Sequence, residues 1–452
     1  MSHATYDSYR DSGVAWLGDV PSYWKIIKNK FIFEFSKGLT ITKENLIDDG
    51  IPCVNYGEIH SKYGFEVNPK THALKCVSEE YLLSTKNALL QHGDFVFADT
   101  SEDIKGSGNF TYLNSDVPTF AGYHTIIAKP NLNEVVPRFL AYIFDCDAHR
   151  NQVRAMVKGV KVFSVTQAFL KNTFVWLPPL PEQTAIVAYL DSQLSQIDAL
   201  IGKQQTLLEK LAEQRTATIT QAVTKGLNPD VPMKDSGVAW LGEVPSHWGV
   251  SRLKNSISSA RNGIWGDEAK YDENDMYCLR VADFNRLNLT ISDENLTVRN
   301  ISAKDYEGRK LSYCDLLLEK SGGGEKQPVG FVVLNTIQEK AVCSNFIAQL
   351  TLTKDMFPSY WAYFHHVLYS ARVNTRSIKQ STGIQNLDAN LYFDELACYP
   401  PLTEQTAIAN YLDEQTAHID RLSDTVRQTI DRLQEYRSTL ITQVVTGKIK
   451  VV

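Results

Sequence analysis

The sequence lacks the features that mark membrane, secreted and metal-binding proteins. Its 452 residues contain no uninterrupted apolar run near the roughly 20 residues needed to cross a bilayer. The opening MSHATYDSYR has no apolar signal-peptide core. Its seven cysteines are scattered and odd in number, with no CxxC pair to indicate zinc or redox chemistry. We therefore expect a cytoplasmic protein with no membrane partner and no metal of its own.

Catalytic motifs are absent as well. The ten histidines show no HExxH spacing, and SGGGEK from Ser321 lacks the GxxxxGK[ST] pattern of a phosphate-binding loop. The double prolines in WLPPL and CYPPL lack the polar first residue and the following aromatic of an adenine methyltransferase loop. We expect no catalysis and no cofactor in this chain. A net charge of -6 argues against a protein that coats nucleic acid indiscriminately. A mildly acidic chain can still carry local basic faces that bind DNA selectively.

An internal repeat dominates what is present. DSGVAWLGDVPSYW from Asp11 recurs as DSGVAWLGEVPSHW from Asp235, and PPLPEQTAIVAYLD from Pro178 recurs as PPLTEQTAIANYLD from Pro400. ITQAVTKG and ITQVVTGK end the two copies, which occupy roughly residues 1–226 and 227–452. Between these matched ends the interiors diverge. Two explanations of this divergence stay open. The first is ordinary drift of an old duplication, and the second is recognition of different targets on a shared scaffold.

The end of each copy predicts a long helix. Residues 182–224 contain no proline and only one glycine, and their apolar positions step by four and three, as do those of the second copy. Two helices of about 43 residues, or about 65 Å each, are expected to pack on each other as an antiparallel pair with an approximate two-fold axis. Arg215 and Arg437 interrupt both seams, and we expect them to extend into solvent rather than fix the register.

The divergent interiors alternate short β-rich runs with turns and one helical segment each, which predicts two mixed α/β domains. Basic and polar side chains collect on their predicted loops. Arginine and lysine can hold phosphates or guanine, glutamine can pair with adenine, serine allows close approach, and an exposed aromatic can contact bases. The candidate DNA-binding residues are Lys105, Ser107, Lys158, Lys161, Ser164, Arg261, Trp265, Lys320, Ser321, Arg376, Lys379, Gln380 and Gln385.

With these features combined, the chain resembles the specificity subunits of type I restriction-modification systems along essentially its whole length. The most specific motifs are the two DSGVAWLG openings, the PPLPEQTAI and PPLTEQTAI helix starts, and STGIQNL from Ser381; the first copy has KVFSVTQAF where the second has STGIQNL. The resemblance implies an α+β fold with two tandem target recognition domains, each followed by a long helix, the helices forming an antiparallel coiled coil with pseudo-two-fold symmetry. The implied segments are 1–176 and 235–398 for the recognition domains, 177–226 and 399–452 for the helices, and 227–234 for the linker.

The resemblance also implies partners. Each domain would read one half of a split sequence in double-stranded DNA, and the subunit would recruit two adenine methyltransferase subunits and the restriction subunits that act as motor and nuclease. Those partners would carry S-adenosylmethionine, ATP and Mg²⁺. One alternative stays open on the residues alone, namely a coiled-coil adaptor whose variable domains bind proteins. Such an adaptor should expose apolar and aromatic patches, whereas DNA binding should weaken steeply with salt.

Overall fold

The computed structural model describes residues 5–130, 135–159, 161–381 and 383–451, with the side chains of Gln380 and Ser381 left out. Within these ranges, no helix is long and apolar enough to cross a membrane. The chain folds as two compact units. The first comprises Met1–Gln204 and Gln428–Val452, and the second comprises Gln205–Arg427. Each unit therefore contains one variable interior and parts of both long helices.

The first unit contains two main sheets. One has the strand order β4-β13-β9-β11-β6 and the other β7-β5-β12-β8; β1 pairs with β2, β10 with β14, and β15 with β3. Its strands are β1 (Tyr9–Asp11), β2 (Asp19–Pro21), β3 (Lys25–Lys28), β4 (Phe33–Lys37), β5 (Ile51–Val54), β6 (Phe65–Val67), β7 (Cys76–Val77), β8 (Leu89–Leu90), β9 (Phe95–Ala98), β10 (Thr100–Ser101), β11 (Phe110–Leu113), β12 (Thr119–Ala121), β13 (Thr125–Pro130), β14 (Phe163–Ser164) and β15 (Phe174–Leu177). Its helices are α1 (Tyr56–Ser61), α2 (Tyr81–Ser84), α3 (Pro137–Asp145), α4 (Asp147–Arg154), α5 (Gln167–Asn172) and the start of α6 (Leu180–Lys225).

The second unit repeats this plan. Its main sheets have the orders β19-β29-β25-β27-β23-β22 and β20-β24-β21-β28; β26-β31-β30 form a third sheet, β16 pairs with β17, and β18 pairs with β32. Its strands are β16 (Met233–Asp235), β17 (Glu243–Pro245), β18 (Gly249–Arg252), β19 (Ile257–Asn262), β20 (Asp267–Glu268), β21 (Asp275–Leu279), β22 (Phe284–Asn285), β23 (Thr290–Ile291), β24 (Val298–Asn300), β25 (Leu316–Glu319), β26 (Ser321–Gly322), β27 (Val332–Leu334), β28 (Ala341–Cys343), β29 (Ile347–Leu352), β30 (Ile378–Ser381), β31 (Ile384–Leu387) and β32 (Leu396–Tyr399). Its helices are α7 (Ala303–Arg309), α8 (Pro358–Ser370), α9 (Ala389–Phe393) and α10 (Leu402–Val445), the last of which ends in the first unit.

The repeated sequence motifs build the scaffold of each unit. The indole of Trp24 donates to Glu182 at 3.3 Å, and that of Trp248 donates to Glu404 at 2.9 Å, so the VPSYW and VPSHW segments anchor the two long helices. The neighbouring glutamine of each PPLxEQTAI motif accepts the backbone N–H that precedes the domain's own helix, at 2.9 Å from Val136 in one unit and from Phe357 in the other. These shared polar contacts explain why the motifs match at both ends of the duplication.

The long helices pack in opposite directions within each unit. In the first unit, Leu190 and Leu194 near the start of α6 share a core with Leu440 and Val444 near the end of α10. In the second unit, the pairing is between the end of α6 and the start of α10, where Ile219 shares a core with Leu412. The predicted antiparallel coiled coil is confirmed, and the predicted helix over 182–224 corresponds to α6.

The C-terminal carbonyls of both helices are captured by the opposite copy's domain. Trp176 donates from its indole to the carbonyl of Val445 at 2.5 Å in the first unit. In the second, the Tyr360 hydroxyl donates to the carbonyl of Val223 at 3.2 Å. Gly447, with φ +71°, ends its helix where a Cβ would collide with the ring of Pro21. Each α/β domain is thus completed by the helix end of the other copy.

The expectation that both seam arginines extend into solvent is wrong for Arg215. Its guanidinium Nε lies 3.5 Å from Asp420 Oδ1, with the arginine side chain only 10% exposed, and Nη2 donates to the Leu287 carbonyl at 2.5 Å. Arg437 pairs with Asp198 at 3.1 Å but stays 34% exposed. The carboxylates sit on the facing helix in both cases, so the interruptions are interhelical ion pairs.

Candidate nucleic-acid interface

Four segments of the first unit meet at one end of its central strand β9. The Asp99 amide donates to the His124 carbonyl at 3.1 Å, the Val165 amide donates to the Asp99 carbonyl at 2.8 Å, and Thr100 pairs with Ser164 across β10 and β14. The Tyr56 ring lies 5.5 Å from the His124 ring. We call this site, residues 55–58, 99–101, 122–124 and 163–165, the first turn junction.

The second unit builds the same junction at the end of β25. The Lys320 amide donates to the Phe346 carbonyl at 2.8 Å, the Leu387 amide donates to the Lys320 carbonyl at 2.8 Å, and Ser321 pairs with Asn386 across β26 and β31. We call residues 280–283, 320–322, 344–346 and 385–387 the second turn junction. Each of these backbone contacts has its counterpart at the corresponding position of the first unit.

The turn that follows β5 in the first unit and β21 in the second is also retained. In the first junction, the Asn55 amide donates to the Glu58 carboxylate at 3.1 Å, and in the second the Arg280 amide donates to the Asp283 carboxylate at 2.7 Å. These local bonds fix the turn whatever the intervening residue is, and that residue is Tyr56 in one unit and Val281 in the other. The duplication has kept the backbone of the junction and changed its side chains.

The side chains of the first junction are aromatic and hydrogen-bonding. Tyr56 packs edge-on against Tyr123, with ring centroids 5.7 Å apart, and His124 Nδ1 lies 3.1 Å from Asp99 Oδ1. The histidine is exposed and has a positive φ of 55°. Desolvation raises the pKa of Tyr123, with Glu58 adding to the effect, and this favours the protonated phenol. This surface offers several donors and acceptors to a ligand.

The side chains of the second junction border a cavity of about 480 Å³. Trp265 and Phe346 are 39% and 46% exposed at its rim, and the exposed amide of Asn345 stands beside them. The Arg299 guanidinium lies 4.7 Å from the Trp265 ring centroid. The cavity therefore combines two apolar ring faces with an amide.

Charged groups underlie the same cavity. Glu319, which is 2% exposed, accepts from Arg286 at 2.8 Å, although burial still raises the pKa of its carboxyl. Lys320 donates from Nζ to Asn262 at 2.7 Å, and burial lowers its pKa. Gly323, at φ +60°, permits a close approach because a Cβ there would lie 2.8 Å from the Val329 amide nitrogen.

The predicted residues of the first unit divide between surface and interior. Lys105, Lys158, Lys161 and Ser164 are exposed, and Ser164 belongs to the first turn junction. Ser107 is fully buried, and its hydroxyl donates to the Asp103 carbonyl at 3.4 Å. The structure therefore places Ser107 inside its loop, where it shapes the backbone that presents Lys105.

The predicted residues of the second unit lie mostly around the junction. Trp265, Lys320 and Ser321 come together there, and Ser321 donates to the Asn386 side chain at 2.6 Å. Lys379 is 73% exposed on the adjoining strand, where it forms a 2.6 Å ion pair with Asp388 and lowers the pKa of that carboxyl.

Arg261 and Arg376 lie outside the residues of the second turn junction, whereas Gln385 belongs to it but is buried. Arg261 is exposed and donates to the Gly308 carbonyl at 3.1 Å, and Arg376 is 60% exposed and 3.7 Å from Glu395. Gln385 is buried and accepts from the Val329 amide at 3.3 Å, so it supports the loop from within. The Gln380 side chain lies outside the described residues.

Sequence reasoning missed the tips of the turns that join the two main sheets of each unit. Tyr123 and His124 correspond to Asn345 and Phe346 of the second copy, and each pair follows a short buried strand. The two pairs are separated by the same shift as the two PPLxEQTAI motifs and lie next to the strand-like runs HTIIA and FIAQL, which is a signal that could have found them. Their approach to the ends of β9 and β25 depends on the fold and leaves no trace in the local sequence.

Comparisons with known proteins agree with this architecture. Residues 21–210 match the family described as the type I restriction modification DNA specificity domain. The chain is 20% identical over 443 residues to the type I restriction enzyme EcoKI specificity subunit of Escherichia coli K12, covering 96% of this chain and 90% of that one. It is 22% identical over 447 residues to the putative MjaX specificity subunit of Methanocaldococcus jannaschii, covering 96% of both.

Two solved structures share the fold. A chain from work on complex assembly and conformational transition of the type I R-M system superposes with a TM-score of 0.68 at 15% identity, covering 94% of this chain and 98% of that one. The HsdS subunit of Thermoanaerobacter tengcongensis superposes with a TM-score of 0.51 at 15% identity, covering 95% and 98%. With its duplicated domains and paired helices, the chain carries a type I restriction modification DNA specificity domain at residues 21–210 and is similar along almost its whole length to specificity subunits of type I restriction-modification systems.

Proposed function

We propose that this chain reads a bipartite sequence in double-stranded DNA, with one recognition domain on each half-site. The observation that carries the proposal is the pair of turn junctions, which have the same backbone and different exposed side chains. A conserved frame with changed contact groups is what two unlike half-sites require of two copies of one domain. The exposed lysines around each junction supply the phosphate contacts that position such a reader.

The chain itself performs no catalysis under this proposal. It recruits two adenine methyltransferase subunits and the motor-nuclease subunits, and these supply S-adenosylmethionine, ATP and Mg²⁺. A formal charge of -6 fits a reader that shares its phosphate contacts with partners.

The proposal is tested by selecting bound duplexes from a random library with the native complex and sequencing them. We expect two constant blocks separated by a gap of fixed length. A library that stays random, together with capture of a specific protein by the same domains, would mean that the chain is a protein-binding adaptor. The selection should be run at two salt concentrations, because specific DNA binding weakens with salt and keeps its sequence preference.

The long helices act as the ruler between the half-sites in this account. Adding four residues to each of α6 and α10 lengthens the pair by about 6 Å, which corresponds to about two base pairs. The selected motif should then keep both blocks and change only the gap. Altered blocks with an unchanged gap would refute the ruler role.

A further inference from the structure

The two turn junctions differ in chemistry at equivalent, solvent-facing positions. The tip is Tyr123–His124 in the first and Asn345–Phe346 in the second, and in each the second tip residue accepts a backbone hydrogen bond from the residue that follows the central strand, Asp99 or Lys320. Because that bond is retained, the tips occupy the same place in their own domains. Differences between them therefore change contact chemistry without changing the frame.

We propose that these two tips are specificity-determining elements that contact base edges in the major groove, His124 with Tyr123 for one half-site and Asn345 with Phe346 for the other. This inference rests on the proposed DNA-reading function and adds to it the residues that read. None of these four residues lies in a segment that the sequence marks as a basic or glycine-rich loop.

The side chains at the second tip are complementary to the major-groove edge of an A·T pair. An asparagine amide can accept a hydrogen bond from adenine N6 and donate one to adenine N7 at the same time, and an apolar side chain can contact the thymine methyl group. Asn345 provides the amide, and the exposed rings of Phe346 and Trp265 stand beside it at the cavity of about 480 Å³. The neighbouring glycines 322–324 carry no side chain that would keep the DNA away.

The first tip has a different chemistry. Its groups are the Tyr123 phenol and the His124 imidazole, with the Asp99 carboxylate 3.1 Å from the imidazole Nδ1. Such a set reads by hydrogen bonds, and the position that matches Phe346 holds the His124 imidazole instead of a phenyl ring. The two half-sites are therefore expected to differ in sequence, which makes the full target asymmetric.

The test uses Asn345→Ala and His124→Asn in the full-length chain, assembled with its native partner subunits. Asparagine tolerates the positive φ of position 124. The matched controls are Tyr313→Ala and His92→Asn, exposed aromatic positions at the opposite ends of β25 and β9. Thermal unfolding verifies each fold, and Asn345→Ser replaces Asn345→Ala if the alanine variant unfolds early. The readouts are the methylated motif and the affinity for the wild-type site.

We expect Asn345→Ala to lose roughly tenfold discrimination at one A·T pair of one half-site. His124→Asn should relax a position in the other half-site, and both controls should keep the full motif. If the wild-type complex methylates a split motif that both tip variants leave unchanged, the assignment of the tips is overturned and DNA reading stands. If Asn345→Ala relaxes a G·C pair, the A·T chemistry is overturned. A wild-type complex that produces no split motif overturns the proposed function itself.

Discussion

Arg215 on α6 pairs with Asp420 on α10, and the equivalent positions pair in reverse: Arg437 on α10 meets Asp198 on α6. The two arginines occupy equivalent positions of the two copies, and so do the two aspartates. The duplication has therefore produced two copies of one interhelical contact, each joining the helix of one copy to the helix of the other. Their burial differs, with Asp420 23% exposed and Asp198 54% exposed.

That difference in burial predicts a difference in energy. Asp420→Asn leaves the buried Arg215 guanidinium without its charge partner and should lower the free energy of unfolding by about 1.5–3 kcal/mol. Asp198→Asn weakens a solvent-screened pair and should cost less than about 1 kcal/mol. Urea unfolding of both variants, with hydrogen exchange to locate the loss, makes the comparison. Equal losses would contradict the assigned burial.

The end of α10 should stabilise the first unit. Leu440 is 2% exposed in the core of that unit, so Leu440→Ala is expected to cost about 2–5 kcal/mol. Hydrogen exchange should accelerate in Phe95–Ala98 and stay slow in Leu316–Glu319. Leu422→Ala, at a 42% exposed position on the same helix, is the control and should leave both strands protected. Loss of protection in the second unit alone would refute the described division of the chain.

Buried histidines should make the protein sensitive to mild acid. Burial lowers the pKa of His365 from 6.5 to about 3, so its imidazole is neutral in the folded chain at neutral pH. The unfolded chain takes up a proton below about pH 6.5, and stability that is complete above that pH is lost as the pH falls toward 3. At pH 5 the loss is roughly 2 kcal/mol for one such histidine.

The acid effect is measured by urea unfolding at pH 7 and pH 5. Nδ1 of His365 lies 2.7 Å from the Tyr392 hydroxyl, so His365→Gln removes a contact as well as the titrating group. The variant should be less stable at pH 7 and should lose less stability between pH 7 and pH 5. A wild-type pH dependence that the variant fully retains would assign the effect to other groups.

Lys379 should contribute a phosphate contact to DNA binding. Replacing it with alanine should weaken binding of the native complex to all duplexes and reduce the slope of log affinity against log salt by about one. Lys354→Ala is the control, since Lys354 is exposed just beyond the far end of β29. An unchanged slope in Lys379→Ala would mean that the lysine only stabilises Asp388.

The scaffold was largely predictable from sequence because its signals are local or repeated. Heptad-like spacing predicted α6, and the repeated PPLxEQTAI motif indicated where each long helix begins. The partner of Arg215 was not predictable, because the alignment of two distant helices decides which side chain faces it. The heptad pattern shows only that position 215 is polar.

Only some features of the candidate interface could be predicted, because residue type indicates charge but does not show which side chains are buried. Exposed lysines such as Lys105 and Lys379 follow from residue composition. The burial of Ser107 and Gln385 accompanies hydrogen bonds to the Asp103 carbonyl and the Val329 amide, which their residue types do not reveal. The two tips lie far in sequence from β10 and β26, and only the sheet topology brings each tip and its strand together. Residue types predicted which side chains could bind phosphates or bases better than they predicted which of those side chains reach the surface.

The most direct test of the account is single-molecule sequencing of adenine methylation in the native host, with this gene present and then deleted. We predict that one split motif with two unlike halves is methylated when the gene is present and loses methylation throughout the genome when it is deleted. Methylation that is identical in both strains would contradict the DNA-reading role.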